Sequence, residues 1–295
     1  MKRASFPSDA SSIMVSINRL STEKRAQIVG CLVEGVSVRG TCRITGAAKN
    51  TVTKLVVDLG EVCMAFQDRT LVDLPCKTLQ CDEIWNFVYA KAKNVPAERR
   101  GEPGVGDVWT WIAIDADSKL VPSWFVGNRT AEDGFLFMMD LKYRLRDSHV
   151  QLTTDGLKAY AAAIGFSFGT DVDWAVLQKL YGKDPSGERR YSPPVCTGID
   201  IRVRRGDPDP SKIGTSYVER QNLMMRMGMR RCTRLTNAFS KKVENFSHAV
   251  ALHYMHYNFA RPHSTLANPY PRTPAMAAGI ADHVWTLQEI AGLLD

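Results

Sequence analysis

Residues 79–89 read Leu79-Gln80-Cys81-Asp82-Glu83-Ile84-Trp85-Asn86-Phe87-Val88-Tyr89. Aromatic and branched residues dominate the run. They suit a pleated, half-buried surface, so the stretch predicts a β-strand. It also carries two adjacent acids. A carboxylate inside an aromatic strand is costly to bury without a partner, which makes Asp82 the first residue to explain. Strand alternation sends Glu83 to the opposite face, so Glu83 is the weaker candidate.

The chain on either side builds a sheet around this strand. Residues 94–106, with prolines and the run Glu98-Arg99-Arg100, predict a hairpin loop. Val108 to Ile114 and Leu120 to Val126 predict two further strands about the turn Asp115-Ala116-Asp117-Ser118-Lys119, to which both turn acids are assigned. Thr130 is placed to cap a helix carrying Phe135, Leu136, Met138, Met139 and Leu145. Val150 to Thr154 predicts a fourth strand, stopped by Asp155-Gly156, and Leu157 to Ile164 a helix. Asp173 to Tyr181 predicts a helix and Lys183 to Pro194 a charged, proline-bearing loop, so about 165–199 is set apart as an insertion. Asp200 to Arg205 predicts a short strand. Ser216 is placed to cap a helix starting near Tyr217, and a long helix is expected from Lys242 to Phe259. A proline-rich tail begins at Arg261, with a last small helix within Trp285 to Leu294. Hairpin strands, a helix, then a strand and a helix give an α/β domain with a mixed sheet.

Upstream, residues 1–18 are Ser-rich with little periodicity and predict a flexible arm. Ser21 caps a first helix with Ala26, Ile28, Val29, Leu32 and Val33 at helical spacing, ended by Gly35. Ser37 caps a short second helix to Ile44, and Thr45-Gly46 makes a turn. A third helix, roughly Ala48 to Leu59, places Val52, Leu55, Val56 and Leu59 on one face and Lys49, Asn50, Thr51, Thr53 and Lys54 on the other. Three short helices with a glycine turn before the last fit a helix-turn-helix, whose last helix enters the major groove N-terminus first. Asn50 suits adenine; Arg43, Lys49, Thr51, Thr53 and Lys54 suit phosphate. A plain helical hairpin with polar outer positions is the alternative.

The charge agrees with an anionic partner. Lys and Arg number 38 against 31 Asp and Glu, a net +7. Basic residues gather in 1–60 and in 200–242, bracketing an acidic middle, which tilts the reading toward nucleic acid. At 44% hydrophobic and 23% charged the chain is ordinary for a globular protein, which excludes wholesale disorder. No run reaches the about 18 apolar residues of a membrane span. The start, Met1-Lys2-Arg3-Ala4-Ser5-Phe6-Pro7, lacks a long apolar segment, so no secretion signal is expected. Seven scattered cysteines, an odd number without a Cys-x-x-Cys pair, argue for reduced thiols in a cytoplasmic setting. His253-x2-His256 is better read as helix packing than as a metal site.

Three acids stand out by position: Asp82 in the first strand, Asp155 at the end of the fourth, and Glu219 in the first turn of the helix after the last strand. Each has an ordinary reading, Asp155-Gly156 as a turn and Glu219 as a helix-start acid. Together they suit a divalent cation, since Mg²⁺ takes a few protein oxygens and leaves room for phosphate and water. Two such ions can stabilise both oxygens of an in-line phosphoryl displacement. Helical spacing puts Glu219, Asn222, Arg226 and Arg230 in one stripe, suited to one metal ligand followed by a phosphate backbone.

Three strings, Cys81-Asp82-Glu83-Ile84-Trp85, Leu152-Thr153-Thr154-Asp155-Gly156 and Thr215-Ser216-Tyr217-Val218-Glu219-Arg220-Gln221-Asn222, resemble the acidic motifs of DDE transposases, in particular bacterial ones of the insertion-sequence-1 type. The basic run from Arg230 to Lys242 is similar to that group as well. So is Tyr257-Asn258-Phe259-Ala260-Arg261-Pro262-His263 to the tail motif of many transposase and integrase domains. The resemblance covers roughly residues 20–290. It implies an RNase H-like mixed-sheet catalytic core behind an N-terminal all-α helix-turn-helix. The expected organisation is an arm at 1–18, a helix-turn-helix at 19–62, a catalytic domain at 76–267 and a tail at 268–295.

The resemblance implies that Asp82, Asp155 and Glu219 hold two Mg²⁺ ions, with Mn²⁺ able to substitute. Water would attack the phosphodiester at an element end, and the freed 3′-hydroxyl would attack target DNA. Arg231 joins Asn222, Arg226 and Arg230 as an expected DNA contact. The partners implied are double-stranded DNA, both element ends and target, and further copies of the chain assembled on it in a bacterial cytoplasm, near the nucleoid. The interval from Asp155 to Glu219 is longer than in many related integrases, and the cysteine pairs of an N-terminal zinc finger are missing. Two other readings stay open: a helix-turn-helix DNA-binding regulator with an inactive RNase H-like domain, and a simple nuclease that cuts without joining.

Overall fold

The computed structural model describes residues 20–147, 149–182, 196–233, 236–266 and 269–295. The expected arm at 1–18 and the loop Lys183 to Pro194 lie outside the described residues. Helices α1 (Thr22–Val33), α2 (Val38–Thr45) and α3 (Lys49–Thr70) come first. The side chains of Ser21 and Ser37 accept N–H groups of the first turns they precede, and Gly46 at φ 70° closes α2. Helix α3 does not stop near Leu59 as expected. It runs through Gly60 to Thr70. Ile28, Val29, Val33, Val52, Leu55 and Leu59 join the core that also holds the sheet residues Leu79, Cys81 and Trp111.

The sheet comprises β1 (Thr78–Val88), β2 (Gly106–Asp115), β3 (Ser123–Gly127), β4 (Val150–Thr154), β5 (Val172–Tyr181) and β6 (Cys196–Arg205). Their spatial order is β3-β2-β1-β4-β5-β6. β1, β2 and β3 pair antiparallel, β4 and β5 run parallel to β1, and β6 returns antiparallel to β5. Asp115 holds the β2–β3 turn as expected, accepting the Ser118 hydroxyl at 2.7 Å and its N–H at 2.8 Å. One expectation is overturned: Asp173 to Tyr181 is not a helix but most of β5, paired with β4 as far as Val176 and with β6 from Trp174 to Tyr181. Its first half is buried on both faces, and such a strand has no alternation to mark it.

Helices cover both faces. On one, Trp111 meets Phe137 of α4 (Ala131–Arg144) and Tyr160 of α5 (Ala159–Phe168). On the other, Ile84, Ile112 and Ile114 pack with Val218 and Met225 of α6 (Ser216–Gly228) and Val250 and Tyr254 of α7 (Val243–Met255). Thr215, not Ser216, occupies the cap position of α6. α7 continues into a π-helical turn at His256–Ala260. There Asn258 pairs with both the N–H and the carbonyl of Val121 at 3.0 Å, and the Tyr257 hydroxyl donates to the Lys119 carbonyl. The tail motif therefore clamps the β2–β3 connection. His253 and His256 are buried in this packing, and burial pushes their pKa values down to about 3 and about 4. Short helices α8 (Pro274–Ala277) and α9 (Leu287–Gly292) close the chain. Arg25 of α1 donates to the Ala291 carbonyl and to Asp295. Among the described residues no helix is long and apolar enough to cross a membrane.

Candidate metal centre

The parallel pairing of β1 with β4 ends where Cys81 meets Thr154. β1 continues past that point, so a notch opens beside Asp82, next to the residue that follows β4, Asp155. Register fixes the side-chain directions. Asp82 lies opposite Ile112, on the α6 face, and Glu83 opposite Trp111, on the face of α4 and α5. Alternation thus holds, but it does not make Glu83 the weaker member of the site, as the sequence alone suggests. Among the described residues no strand stands between the two faces beyond the end of β4. One carboxylate oxygen each of Asp82, Glu83 and Asp155 lies within 4.8 Å of the others.

Each acid is held differently. Asp82 accepts the N–H of Glu83 at 2.8 Å and the side-chain amide of Asn222 at 2.8 Å. Asp155 accepts the N–H of Leu157 at 2.9 Å, which shapes the turn into α5. Glu83 has a side chain only 2% exposed. It receives the Arg129 Nε at 2.7 Å and the Tyr160 hydroxyl at 3.2 Å. The same guanidinium reaches Asp155 at 3.8 Å. Burial, then the Asp155 charge, raises Asp82 to about 7. Burial, then Asp155 and Asp82, raises Glu83 to about 8. Crowded carboxylates in a low-dielectric notch resist ionisation together unless a cation joins them.

Glu219 does not join this trio. Its carboxylate accepts the Lys179 ammonium of β5 and the Thr215 hydroxyl, the latter at 2.7 Å. It stays near enough to raise Asp82 further. Helix α6 is placed by Gln80, whose buried side-chain oxygen accepts the N–H groups of Tyr217 at 2.9 Å and Val218 at 3.2 Å. That bond sets Asn222 and Glu219 beside β1. The donor set is all oxygen, the choice of hard cations such as Mg²⁺ and Mn²⁺, and a divalent ion would balance carboxylates that stand this close together.

The expected DNA contacts separate into outward and inward groups. Arg43, Lys49, Asn50, Thr53 and Lys54 are exposed on α2 and α3, and Thr51 is half-buried. Lys54 pairs with Asp58, and the Thr53 hydroxyl donates to the carbonyls of Lys49 and Asn50. On α6, Asn222 turns to Asp82 rather than outward. Arg226 donates to the carbonyls of Cys232 and Trp85. Arg230 is exposed. Arg231 is spent inside, on the Ser240 hydroxyl and the Asn245 carbonyl, both at 2.8 Å. Sequence reading missed Gln80, Arg129, Tyr160 and Lys179, because their partners lie far along the chain and no local spacing announces them.

No family model matches the chain, and no curated protein matches it. Among the solved structures similar to it at a low level are two transposase complexes. A piggyBac transposase synaptic complex with hairpin DNA is 9% identical over 96% of this chain and 74% of that one, with a TM-score of 0.41. A pre-cleavage Mos1 transpososome is 10% identical over 54% of this chain and 60% of that one, with a TM-score of 0.22. Scores this low tie neither the fold nor the activity of those proteins to this chain.

Proposed function

We propose that the chain is a DNA transposase of the DDE, insertion-sequence-1 type, with an RNase H-like core over 76–267 behind a helix-turn-helix over 19–62. The observation that carries this reading is the convergence of Asp82 and Glu83, midway along β1, with Asp155 just past the end of the parallel strand β4, and with α6 bonded to Asp82 through Asn222. The antiparallel run β1–β3 followed by parallel β4 and β5 supports the RNase H-like core. Asp82 and Asp155, with Glu219 once turned from Lys179, would hold two Mg²⁺ or Mn²⁺ ions. Bound there, such ions stabilise the attacking and leaving oxygens of an in-line displacement at phosphorus. Glu83, held by Arg129 and Tyr160, keeps a further carboxylate at the same notch. The exposed end of α3 presents Lys49 and Asn50 for a major groove, with Arg43 nearby for phosphate. Copies of the chain would assemble on paired element ends in a bacterial cytoplasm.

The test uses donor duplexes copied from the DNA flanking the reading frame. Asp155→Asn is expected to keep end binding and to lose 3′-end joining; a variant that still joins ends overturns the assignment. A second reading draws on one observation, the Lys179–Glu219 pair, which turns an expected ligand away from the trio. It is a DNA-binding regulator with a silent core. Sound end binding with no Mg²⁺- or Mn²⁺-dependent nicking by the unaltered protein would favour it.

A further inference from the structure

Two cations of the chain itself flank the notch, one on each face of the sheet. Arg129 closes the α4–α5 face, bonded to Glu83 and within 3.8 Å of Asp155. Lys179 closes the α6 face, bonded to Glu219. The Arg129–Glu83 pair is not a casual surface pair. Glu83 is almost wholly buried, and its carboxylate takes the Arg129 guanidinium and the Tyr160 hydroxyl as its partners there. Arg129 is carried by a fixed loop: the Trp111 indole donates to the Asn128 carbonyl at 3.0 Å, and Thr130 caps α4. Lys179 projects from β5, opposite Ile199 of β6. Both cations retain access to solvent, at 43% and 28% side-chain exposure, so each can swing outward without unfolding anything.

We infer that Arg129 and Lys179 form a cation latch: they neutralise the site carboxylates in the metal-free protein, compete with divalent ions, and on metal binding pass to the phosphate backbone of DNA. This rests on the metal-centre reading above. The electrostatics require an exchange. A divalent ion at the trio removes the negative charge that holds Arg129, and a Glu219 drawn to the ion leaves Lys179 without its partner. Two positive charges released at the rim of a carboxylate site then face the ligand with the most negative charge, a phosphodiester. Metal and DNA would thereby bind with positive coupling, each easing the other.

The experiment is calorimetric titration of Mn²⁺ into the DNA-free, full-length protein, comparing the unaltered chain with Arg129→Gln, Lys179→Met and Arg129→Lys. Circular dichroism melting checks that each variant is folded. Arg129→Gln and Lys179→Met should each bind Mn²⁺ more tightly, by about tenfold, while Arg129→Lys stays near the unaltered value. A second arm measures anisotropy of a labelled duplex of arbitrary sequence with and without Ca²⁺. The unaltered protein should gain affinity for the duplex when Ca²⁺ is present, and the double variant should lose that gain. Equal or weaker Mn²⁺ binding by folded variants overturns the latch and leaves the metal centre standing. Absence of Mn²⁺ binding from every form, with the melting curves unchanged, overturns both. If Arg129→Gln fails to fold, the Lys179→Met titration decides alone, since Lys179 sits at the partly exposed end of its strand.

Discussion

Gln80 of β1 accepts the backbone N–H of Tyr217 at 2.9 Å, tying the first turn of α6 to the strand that carries Asp82. The first N–H groups of a helix have no partner within it, and here a buried side chain of the sheet satisfies two of them. Gln80→Leu keeps the volume and removes the acceptor. It should cost about 1–3 kcal/mol of stability, read as a lower urea midpoint. It should also weaken Mn²⁺ binding, because Asn222 and Glu219 lose their fixed position beside Asp82. Gln80→Glu, which keeps the acceptor oxygen, should preserve the midpoint better. Equal urea midpoints for Gln80→Leu and the unaltered chain would remove this role.

The raised carboxylates make the metal-free protein lose stability as pH rises from about 4 to about 8. Asp82 rises from 3.8 to about 7 and Glu83 from 4.5 to about 8. A folded-state pKa above the unfolded one means that the native state holds protons the unfolded chain releases. The contribution is therefore complete below about pH 4 and is lost as pH rises through about 7 and 8. In chelator, melting temperature should fall across that interval, and Asp82→Asn should flatten the slope. Added Mg²⁺ or Mn²⁺ should restore more stability above about pH 8 than below about pH 6, since at the lower pH the ion must first displace protons. A metal-induced shift of the same size at both ends of the range would contradict the shared, proton-linked site.

Much of this was legible in the sequence, and the parts that were not share a cause. β1, β2 and β4 and the caps at Ser21, Ser37 and Thr130 follow from composition and local spacing, which is all that a strand of aromatic residues or a helix cap requires. β5 escaped because its early residues are buried on both faces, leaving a continuous apolar run that fits strand and helix alike. Glu83 ranks as the weaker candidate on alternation, which is true of its backbone yet irrelevant once the neighbouring strand has ended at Thr154. Arg129, Lys179 and Gln80 act on partners that the fold brings near, so their roles lie in topology rather than in motif.

Gly60 stands inside α3 where α7 crosses it closely. A Cβ on Gly60 would stand 2.4 Å from the Cβ and carbonyl oxygen of His248. Backbone cannot yield as a long side chain can, so Gly60→Ala should destabilise by about 1–3 kcal/mol. That sign opposes helix propensity, which favours alanine by about 1 kcal/mol. Guanidinium unfolding of the two proteins separates the cases: a more stable alanine variant would show that the helices can part at no cost.

The two neighbouring arginines after α6 should behave oppositely, although the sequence gives them one role. Arg230 is exposed, while the Arg231 guanidinium donates to the Ser240 hydroxyl and the Asn245 carbonyl. Arg230→Ala should leave the melting temperature in place and weaken duplex binding. Its salt dependence should fall by about one unit of slope, the mark of one lost phosphate contact. Lys49→Ala, exposed at the start of α3, should act in the same way. Arg231→Ala leaves internal acceptors without a donor and should lower the melting temperature while the salt slope stays unchanged. Asn50→Ala should differ from all three, with little effect on arbitrary DNA and a loss of about 1–3 kcal/mol of preference for the end sequence. Anisotropy across a salt series, run beside thermal melts, reads every one of these outcomes. An Arg231→Ala protein that melts normally but loses a unit of salt slope would return that residue to the DNA surface.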